Sequence, residues 1–578
     1  MIFPRDEHIR FYKEEIRALE EEIKSYWLSN VMELYKANRL HIGIFEGVDR
    51  NGFVILRHKK GKAPRLKQIF FGFTLKSSVP AFTEWNNFRY MDIRKRKKFH
   101  SDVFPVFFHD RGDEEYSHVH YKGFDIKMIE SCKVGDTPVL LGEKEPPFEY
   151  LLNLKKIVSD SSEISVSGKV LFLDALNNSW NPIHLYEKDK PVDLIKRKLG
   201  KHNELVIQGP PGTGKTYLMS ELCASLLEEG KSVLVTANSN RALTELAEKP
   251  QLKKWLKAGR VLKTNLSTDE AQKVHGLRYA EDIRPISGHL TLATYYQLGK
   301  QAALGEDVPV FDLLIIEEAS QAFLATIAAF KPMGKKMILI GDHKQLPPIT
   351  VQKDSKKIHP DIEVIIHGLE TYANNVDLPA YRKVETYRLN KRATLYTGIF
   401  YDESLVSVSP DPVPPQIDTA YSELFMPEGG PNIVFKDISG EGKGPQSVSG
   451  WLKDVIVDLI EKNKQIEISV LSPFVVTTKM LQAEIYPATG NYQNITVETI
   501  DRIQGMSCDI TFFVIPFGST FFSYNLNRFN VATSRSKMHT VIITDKHFLK
   551  HNPSSGQVAS FWGRLIDEVL NVSNQVKS

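Results

Sequence analysis

The segment at residues 209–216 reads GPPGTGKT, three glycines followed by Lys215 and Thr216. Phosphate groups bind in concave surfaces of backbone N–H donors, and glycine lets the backbone approach them closely. Lys215 would neutralise the β- and γ-phosphates of a nucleotide, and the Thr216 hydroxyl would hold Mg²⁺. A strand pattern precedes the segment and a helical pattern follows it, so a helix dipole would assist binding. We predict a nucleotide site formed by Gly209, Pro210, Pro211, Gly212, Thr213, Gly214, Lys215 and Thr216.

Two adjacent acids end the apolar run FDLLIIEE at residues 311–318. Buried strands rarely end in adjacent carboxylates unless a cation or hydrogen bonds offset the cost of burial. An isolated pair of this kind is most often a solvated strand end, but here it follows a phosphate loop. We therefore expect Glu317 to hold Mg²⁺ and Glu318 to orient and deprotonate the attacking water.

The following strand pattern, KMILI, runs into Gly341 and the segment that contains Gln345. A polar side chain at a strand end beside the γ-phosphate can respond to the presence of that phosphate. Because a neutral amide can both donate and accept hydrogen bonds, Gln345 suits this role. We predict that Gln345 senses the γ-phosphate.

The elements that position these residues form an alternating pattern. From about residue 190 onward, short runs such as VLVTA, ISVLSP and TVIITD alternate with helical patterns. This arrangement indicates parallel sheets covered by helices on both faces. Earlier in the chain, residues 8–30 have a helical stripe, and residues 38–185 are β-rich with a hairpin turn at Asn51-Gly52. We also expect a strand or hairpin at Ser165 to Asp174.

Composition limits the class of protein. The chain has 578 residues, of which 42% are hydrophobic and 25% charged, so we expect about three or four globular domains. The net charge of +4 is too small to indicate a partner. Three dispersed cysteines argue against a disulfide scaffold or a cysteine-rich zinc module. The N-terminus lacks a signal-peptide pattern and no apolar run is long enough to span a membrane, so we expect a soluble, intracellular and cytoplasmic protein without a membrane partner.

Taken in order, these motifs resemble those of superfamily 1B helicases of the nonsense-mediated-decay (Upf-like) type. GPPGTGKT, IIEEASQ and GDHKQLPP are similar to the first three motifs of that family. In the C-terminal half, TYRL at 386–389, VETIDRIQG at 497–505 and NVATSRSK at 530–537 are similar to its later motifs. The resemblance covers roughly residues 200–545 in the order and spacing of the family.

The resemblance implies an α/β fold with two tandem RecA-like P-loop domains and a composite ATP site between them, with Mg²⁺ as the metal. Tyr387 would stack on the base, and Arg388 and Arg535 would reach the γ-phosphate from the second domain. An arginine contributed across a cleft can supply roughly 10³–10⁵ in rate when the cleft closes. Gly505 belongs to the motif near the nucleotide.

The resemblance also implies contacts to a single strand of RNA or DNA from the matching positions Thr236, Ser239, Asn240, Thr294 and Thr499. Hydroxyl and amide groups at helix starts suit phosphate oxygens. For each of these residues, an ordinary helix cap is an equally good explanation. The chain departs from the family pattern at Glu317, where the family has aspartate, and at Met506-Ser507, where it has Arg-Glu. No glutamine motif precedes the phosphate loop.

The N-terminal third resembles the stalk and barrel insertion of the family. It contains a run of five cations with aromatic residues nearby, which could bind nucleic acid or could be a solvated loop beside ordinary core aromatics: Arg94, Lys95, Arg96, Lys97 and Lys98. The expected domains are an N-terminal stalk-like helix (1–37), a small β-barrel-like domain (38–187), a first RecA-like domain (188–375, with a helical insertion at about 245–288) and a second RecA-like domain (376–578).

These observations favour an ATP-dependent translocase or helicase acting on single-stranded RNA or DNA, and working as a monomer. The resemblance implies that it moves 5′ to 3′. The alternative is an ATP-gated nucleic-acid clamp that recruits or regulates a nuclease, a candidate protein partner, without processive unwinding. A hexameric remodelling ATPase would share the phosphate loop but would leave the second half of the chain unexplained.

Overall fold

The computed structural model describes residues 5–66, 70–74, 101–109, 115–143, 148–162, 164–171, 181–305, 308–351, 362–375, 378–490, 493–503, 505–547 and 556–575. The chain divides into two compact units. Unit 1 comprises Met1–Leu19 and Pro147–Pro412, and unit 2 comprises Glu20–Pro146 and Val413–Ser578. Among the described helices, none is long and apolar enough to cross a membrane.

The expected N-terminal helix is present and spans Arg5–Leu28. Its apolar stripe is buried as amphipathic spacing requires. Phe11 and Tyr12 pack against Phe323, with ring centroids 5.8 and 5.9 Å apart, and so join the core of unit 1.

A closed barrel of antiparallel strands follows, which confirms the expected barrel-like domain. Around the barrel the strands are Leu40–Val48, Val54–Lys59, Tyr116–Lys122, Ser101–His109, Phe70–Phe73 and Pro138–Glu143. The predicted hairpin turn closes through Asp49 N–H donating to the Phe53 carbonyl (2.9 Å), with Gly52 at φ +79°. Glycine takes up this left-handed conformation without the steric cost of a Cβ.

The strand expected at Ser165 to Asp174 is wrong. The described residues there form a helix, Val166–Leu171, which packs beside the helix Leu324–Phe330 of unit 1. Ser167 Oγ donates to the Ala328 carbonyl (2.8 Å), and Val170 and Leu171 enter the core. Tertiary packing has overridden a weak local β pattern.

Unit 1 contains a parallel sheet of nine strands. In spatial order these are Arg278–Tyr279, Val261–Lys263, Leu290–Thr294, Val233–Ala237, Leu313–Ile316, Met337–Gly341, Glu204–Gln208, Ala380–Lys383 and Ile183–Leu185. Its main helices are Glu149–Asp160, Pro191–Lys201, Lys215–Glu228, Asn240–Ala247, Tyr295–Ala302, Leu324–Phe330, Ile362–Ile366, Gly368–Asn375 and Lys391–Gly398.

Two features of unit 1 differ from the sequence-based boundaries. Ala380–Lys383 pairs with Glu204–Gln208, so residues up to Pro412 lie with the phosphate loop rather than in a domain that starts at 376. The segment 245–288, expected to be helical, also contributes two short strands at one edge of the sheet.

Unit 2 combines the barrel with a parallel sheet of five strands. In order these are Gly430–Lys436, Ser536–Asp545, Cys508–Val514, Ile468–Ser472 and Ile495–Thr499, with helices Gln446–Lys462, Val475–Thr489, Leu526–Thr533 and Gly556–Gln575. Barrel residues and sheet residues share one apolar core; for example, Phe108 lies 5.7 Å from Tyr486 between ring centroids. The fold class expected from the sequence, tandem RecA-like parallel sheets preceded by a helix and a small barrel, is confirmed.

Candidate nucleotide site

The phosphate loop joins the buried strand Glu204–Gln208 to the helix Lys215–Glu228. Gly212 and Gly214 both have φ +73°, so the predicted glycines occupy positions where other residues would be strained. A Cβ on Gly209 would lie 2.1 Å from Lys215 Cγ, so only glycine leaves room for the lysine side chain. Lys215 Nζ donates to the carbonyl of Gly209 and lies 3.5 Å from that of Pro210. The amine therefore lies over the loop that is expected to hold the phosphates it would neutralise.

Glu317 follows the strand Leu313–Ile316 and is 4% exposed. Thr216 Oγ1 donates to Glu317 Oε1 at 2.8 Å, although the two residues are far apart in sequence. Glu317 Oε2 is buried and has no hydrogen-bond partner. Burial raises the pKa of Glu317 to about 8, the Thr216 hydrogen bond opposes this, and the neighbouring charge of Glu318 adds to it.

These oxygens fit a divalent cation. Mg²⁺ prefers hard oxygen ligands from one or two protein groups together with substrate phosphates. The orphaned Glu317 oxygen and the Thr216 hydroxyl provide such ligands at the start of the phosphate-binding helix. The geometry is therefore compatible with the predicted Mg²⁺ site, although the family has an aspartate at position 317.

Glu318 adopts a left-handed conformation, φ +52°, which is strained for a residue with a side chain. Burial raises its pKa to about 7, while the Lys215 charge lowers it. Strain and a displaced pKa together are typical of functional positions. A carboxylate whose pKa is close to neutral is well matched to accept a proton from water.

Gln345 lies beyond the end of the strand Met337–Gly341 and is buried. Its side-chain Nε2 donates to Asp342 Oδ2 (2.9 Å), and its backbone N–H donates to the Asp342 carbonyl (2.8 Å). The amide expected to sense the γ-phosphate is thus held by a buried carboxylate, Asp342, at the end of the same strand.

Tyr387 and Arg388 were expected to act from the second domain, but the structure places both in unit 1 beside the phosphate loop. The Tyr387 N–H donates to the Gly212 carbonyl (2.9 Å), and a Cβ on Gly212 would meet Arg388 Cβ at 2.4 Å. The physical reason is the strand Ala380–Lys383, whose pairing in the first sheet carries the following residues to this loop.

Two half-exposed rings flank Gly214. Tyr217 is 52% and Tyr387 45% exposed, and the Tyr387 ring lies 3.9 Å from the position of a Cβ on Gly214. Burial and a hydrogen bond with Glu187 raise the pKa of Tyr387 to about 12. Glu187 also accepts from Lys383 Nζ (2.8 Å). Sequence reasoning identified Tyr387 by resemblance but missed Tyr217 and Glu187, for which no motif gave a signal.

Arg535 and Gly505 lie in unit 2. Arg535 is 2% exposed, and its guanidinium donates to the carbonyls of Val531 (2.9 Å) and Met506 (3.4 Å). Gly505 has φ +83°, which explains why glycine is suitable there. The expected role of Arg535 at the γ-phosphate stays a prediction.

The expected strand contacts of unit 1 lie in different settings. Ser239 and Thr294 begin helices, and each side chain accepts from a backbone N–H of its helix, at 3.2 and 3.5 Å. Asn240 is exposed, whereas Thr236 is fully buried and its hydroxyl has no hydrogen-bond partner.

In unit 2, Thr499 is the last residue of the edge strand Ile495–Thr499. Its hydroxyl accepts from Arg65 Nη1 (3.2 Å), which also contacts Glu498 Oε2 (3.4 Å). An arginine from the barrel thus lies beside the residue expected to contact nucleic acid. The basic run Arg94, Lys95, Arg96, Lys97 and Lys98 lies outside the described residues.

Sequence reasoning also missed an aromatic cluster near the carboxyl ends of the unit 2 strands. The rings of Phe474 and Phe522 are 5.4 Å apart, and Phe522 is 37% exposed. Lys443 Nζ lies 4.4 Å from the Phe474 ring, and Arg528 Cζ lies 3.9 Å from the Phe522 ring. Because the members are distant in sequence, no local pattern could have revealed the cluster. We call these four residues the unit 2 aromatic cluster.

Comparison with known proteins finds partial matches along the chain. Two family models, each described as an AAA domain, match residues 193–364 and 446–547. The DNA replication ATP-dependent helicase/nuclease DNA2 of Xenopus laevis is 24% identical over 401 residues, covering 60% of this chain and 36% of the relative. DNA-binding protein SMUBP-2 of Rattus norvegicus is 22% identical over 432 residues, covering 62% and 43%.

Among solved structures, an arterivirus nonstructural protein 10 (helicase) aligns with 88% of this chain and 76% of its own, at 13% identity and a TM-score of 0.36. This chain spans less than half the length of the curated relatives cited above. None of these matches distinguishes the nonsense-mediated-decay type, which stays a prediction. The two AAA-domain matches and the helicase relatives support a superfamily 1 helicase.

Proposed function

We propose that this chain is an ATP-dependent 5′-to-3′ translocase and helicase acting on single-stranded RNA or DNA. The observation that carries the proposal is the pairing of Thr216 with Glu317 (2.8 Å), next to a buried, unpartnered carboxylate oxygen. This pairing places a phosphate loop and an acidic strand end together, as ATP hydrolysis requires.

Each residue of the unit 1 site has a separate role in ATP hydrolysis. Lys215 neutralises the β- and γ-phosphates, while Thr216 and Glu317 hold Mg²⁺, which offsets phosphate charge when bound. Glu318 orients the attacking water and takes its proton. Gln345 responds to the γ-phosphate.

The side chains that follow the strand Ala380–Lys383 complete the nucleotide pocket. Tyr387 stacks on the base, and Arg388 approaches the phosphates from beside Gly212. Arg535 adds transition-state stabilisation from unit 2, as the resemblance implies. Gly505 lies near the nucleotide in the same proposal.

The unit 2 aromatic cluster supports a nucleic-acid partner. Aromatic rings stack on bases of any sequence, and cations beside them attract the backbone. In open parallel sheets, ligands bind outside the carboxyl ends of the strands, where Phe474 lies. Ser239, Asn240, Thr294 and Thr499 are proposed as additional contacts. Thr236, which was also expected to contact the strand, is fully buried and is not included.

A second candidate function is an ATP-gated clamp that recruits or regulates a nuclease. It is favoured by relatives that carry the printed name helicase/nuclease and extend well beyond the matched region. We also propose a monomeric state and a cytoplasmic location. Sedimentation and fractionation would check these two points.

Strand displacement decides between the two candidates. Duplexes with a 5′ or a 3′ single-stranded overhang are incubated with the protein and ATP, and displaced strand is measured. The helicase displaces the strand only from the 5′-overhang substrate. Nucleotide-dependent binding without displacement would support the clamp, and displacement from the 3′ overhang alone would contradict the proposed direction. RNA and DNA are compared side by side as stimulators of ATP hydrolysis.

A further inference from the structure

Asp342 is a buried carboxylate, 2% exposed, at the end of the strand Met337–Gly341. Its Oδ2 accepts from Gln345 Nε2 (2.9 Å) and from the Tyr401 hydroxyl (2.6 Å). Its Oδ1 accepts from Gln208 Nε2 (3.2 Å) and from the Lys344 backbone N–H (3.2 Å). Both carboxylate oxygens of Asp342 therefore accept two hydrogen bonds each. All four donors belong to unit 1.

Arg382 orients the Gln208 side chain that donates to Asp342. Arg382 Nε donates to Gln208 Oε1 (2.7 Å), so the Gln208 amide is oriented at both ends. Arg382 Nη1 also donates to the Tyr401 carbonyl (3.0 Å) and to Asp402 Oδ2 (2.9 Å). Because Arg382 is 3% exposed and can only donate, it determines which end of the Gln208 amide faces Asp342.

We propose that Asp342 is a positioning residue for ATP hydrolysis, which acts by fixing the orientation of the Gln345 amide. An ionised carboxylate accepts hydrogen bonds and cannot donate them, so Gln345 must present its nitrogen to Asp342 and its oxygen elsewhere. A sensor amide that rotated freely would spend part of its time with donor and acceptor exchanged. The inference rests on the proposed function, since it concerns the same ATP site.

The substitution Asp342→Asn tests the proposal with minimal change of shape. An asparagine offers one acceptor and one donor, so its N–H group faces either the Gln208 side or the Gln345 side. On the Gln345 side, the amide of Gln345 would have to turn over to accept. We expect kcat for ATP to fall about tenfold or more, with KM and the affinity for ADP within about twofold of the parent.

A double substitution separates positioning from a general structural role. If Asp342 acts through Gln345, Asp342→Asn causes no further loss of kcat in a Gln345→Ala background. The proposal is overturned if the losses of kcat from Asp342→Asn and Gln345→Ala are additive. It is also overturned if Asp342→Asn alone has the parental kcat. The matched control is Asp312→Asn, a carboxylate at the opposite end of a neighbouring strand that accepts from Ser232 N–H (3.0 Å) and Lys335 (2.9 Å). It should leave kcat unchanged.

A second variant keeps the test valid if Asp342→Asn does not fold. Tyr401→Phe removes one donor to Asp342 without changing charge, and its smaller loss of kcat, about two- to fivefold, should also vanish in the Gln345→Ala background. Loss that persists there overturns the proposal. If Lys215→Ala and Gln345→Ala both retain parental ATP turnover, the proposed function itself fails and the inference fails with it.

Discussion

The two parallel sheets end in different kinds of side chain. At the carboxyl ends of the unit 1 strands lie the phosphate loop, the acidic pair and the buried Asp342, with hydrogen bonds from Thr216 to Glu317 and from Gln345 to Asp342. Near the carboxyl ends of the unit 2 strands lie Phe474 and Phe522, partly exposed and each beside a cation. The same architecture therefore presents charged side chains in one unit and aromatic rings in the other. What a sheet of this kind does is determined by the residues that follow its strands.

The largest expected effect is on ATP turnover and concerns Lys215 in unit 1. Lys215→Ala should lower ATP turnover at least about 100-fold, because the amine offsets charge that develops on the phosphates. A coupled ATPase assay measures this. Lys254→Ala is the matched control, since Lys254 forms an exposed ion pair with Glu228 and such pairs contribute little. Parental ATP turnover in Lys215→Ala would contradict the assignment of the phosphate-binding site to unit 1.

Glu318→Gln should separate binding from chemistry within unit 1. The amide keeps the shape but is a far weaker base, so ATP affinity should remain within about twofold while turnover falls about 100-fold. Binding is measured with labelled ATP, and turnover by phosphate release. Glu248→Gln, which alters a pair with Lys273 (2.9 Å), serves as the control. Near-parental ATP hydrolysis by Glu318→Gln would contradict the assignment of Glu318 as general base.

The unit 2 aromatic cluster should contribute to strand affinity and not to basal hydrolysis. Phe474→Ala and Phe522→Ala should each weaken binding of single-stranded nucleic acid about tenfold, since base stacking contributes roughly 1–3 kcal/mol per base. Basal ATPase should stay unchanged. Fluorescence anisotropy of a labelled oligonucleotide measures affinity. Phe435→Ala, an exposed ring on another strand of the same sheet, is the control, and an equal loss there would refute the assignment.

A smaller effect is expected from the basic run at residues 94–98. Replacing its five cations by glutamine should lower strand affinity and flatten its dependence on salt, by about 0.7 in log–log slope for each phosphate that is no longer neutralised. Affinity is measured from about 50 to 200 mM salt. An unchanged slope would indicate a solvated loop, and strand binding would then depend on the sheet ends alone.

The smallest expected effect is on stability and concerns the barrel of unit 2. Burial lowers the pKa of His58 to about 3, Lys479 and His118 reinforce this, and its hydrogen bond to the Ile42 carbonyl opposes it. A group whose folded pKa is depressed contributes stability above its unfolded pKa, about 6.5, and loses it as pH falls toward 3. The melting temperature should therefore drop between pH 7 and pH 5, and less so in His58→Gln. Equal drops in melting temperature in the parent protein and in His58→Gln would contradict this prediction.

The sequence was most informative where function depends on contiguous residues. The phosphate loop, the acidic pair and the parallel strands are local patterns, and the structure contains each of them. The partner of the strand Ala380–Lys383 could not be predicted, because a strand of four residues carries no signal for which sheet it joins. This is why Tyr387 and Arg388 were assigned to the wrong unit. The hydrogen bonds of Asp342 with Gln208 and Tyr401 likewise depend on tertiary packing alone.

The division of the chain has a consequence for dissecting the protein. The polypeptide passes between the units three times, after Leu19, Pro146 and Pro412, so neither unit is one continuous stretch. A stop codon after Pro412 would leave the barrel without partners such as Tyr486. A single proteolytic cut at one passage would still leave the two units joined covalently through the other two passages. A fragment that contains unit 1 alone would instead require excision of residues 20–146, religation of the flanking ends and removal of the residues after Pro412.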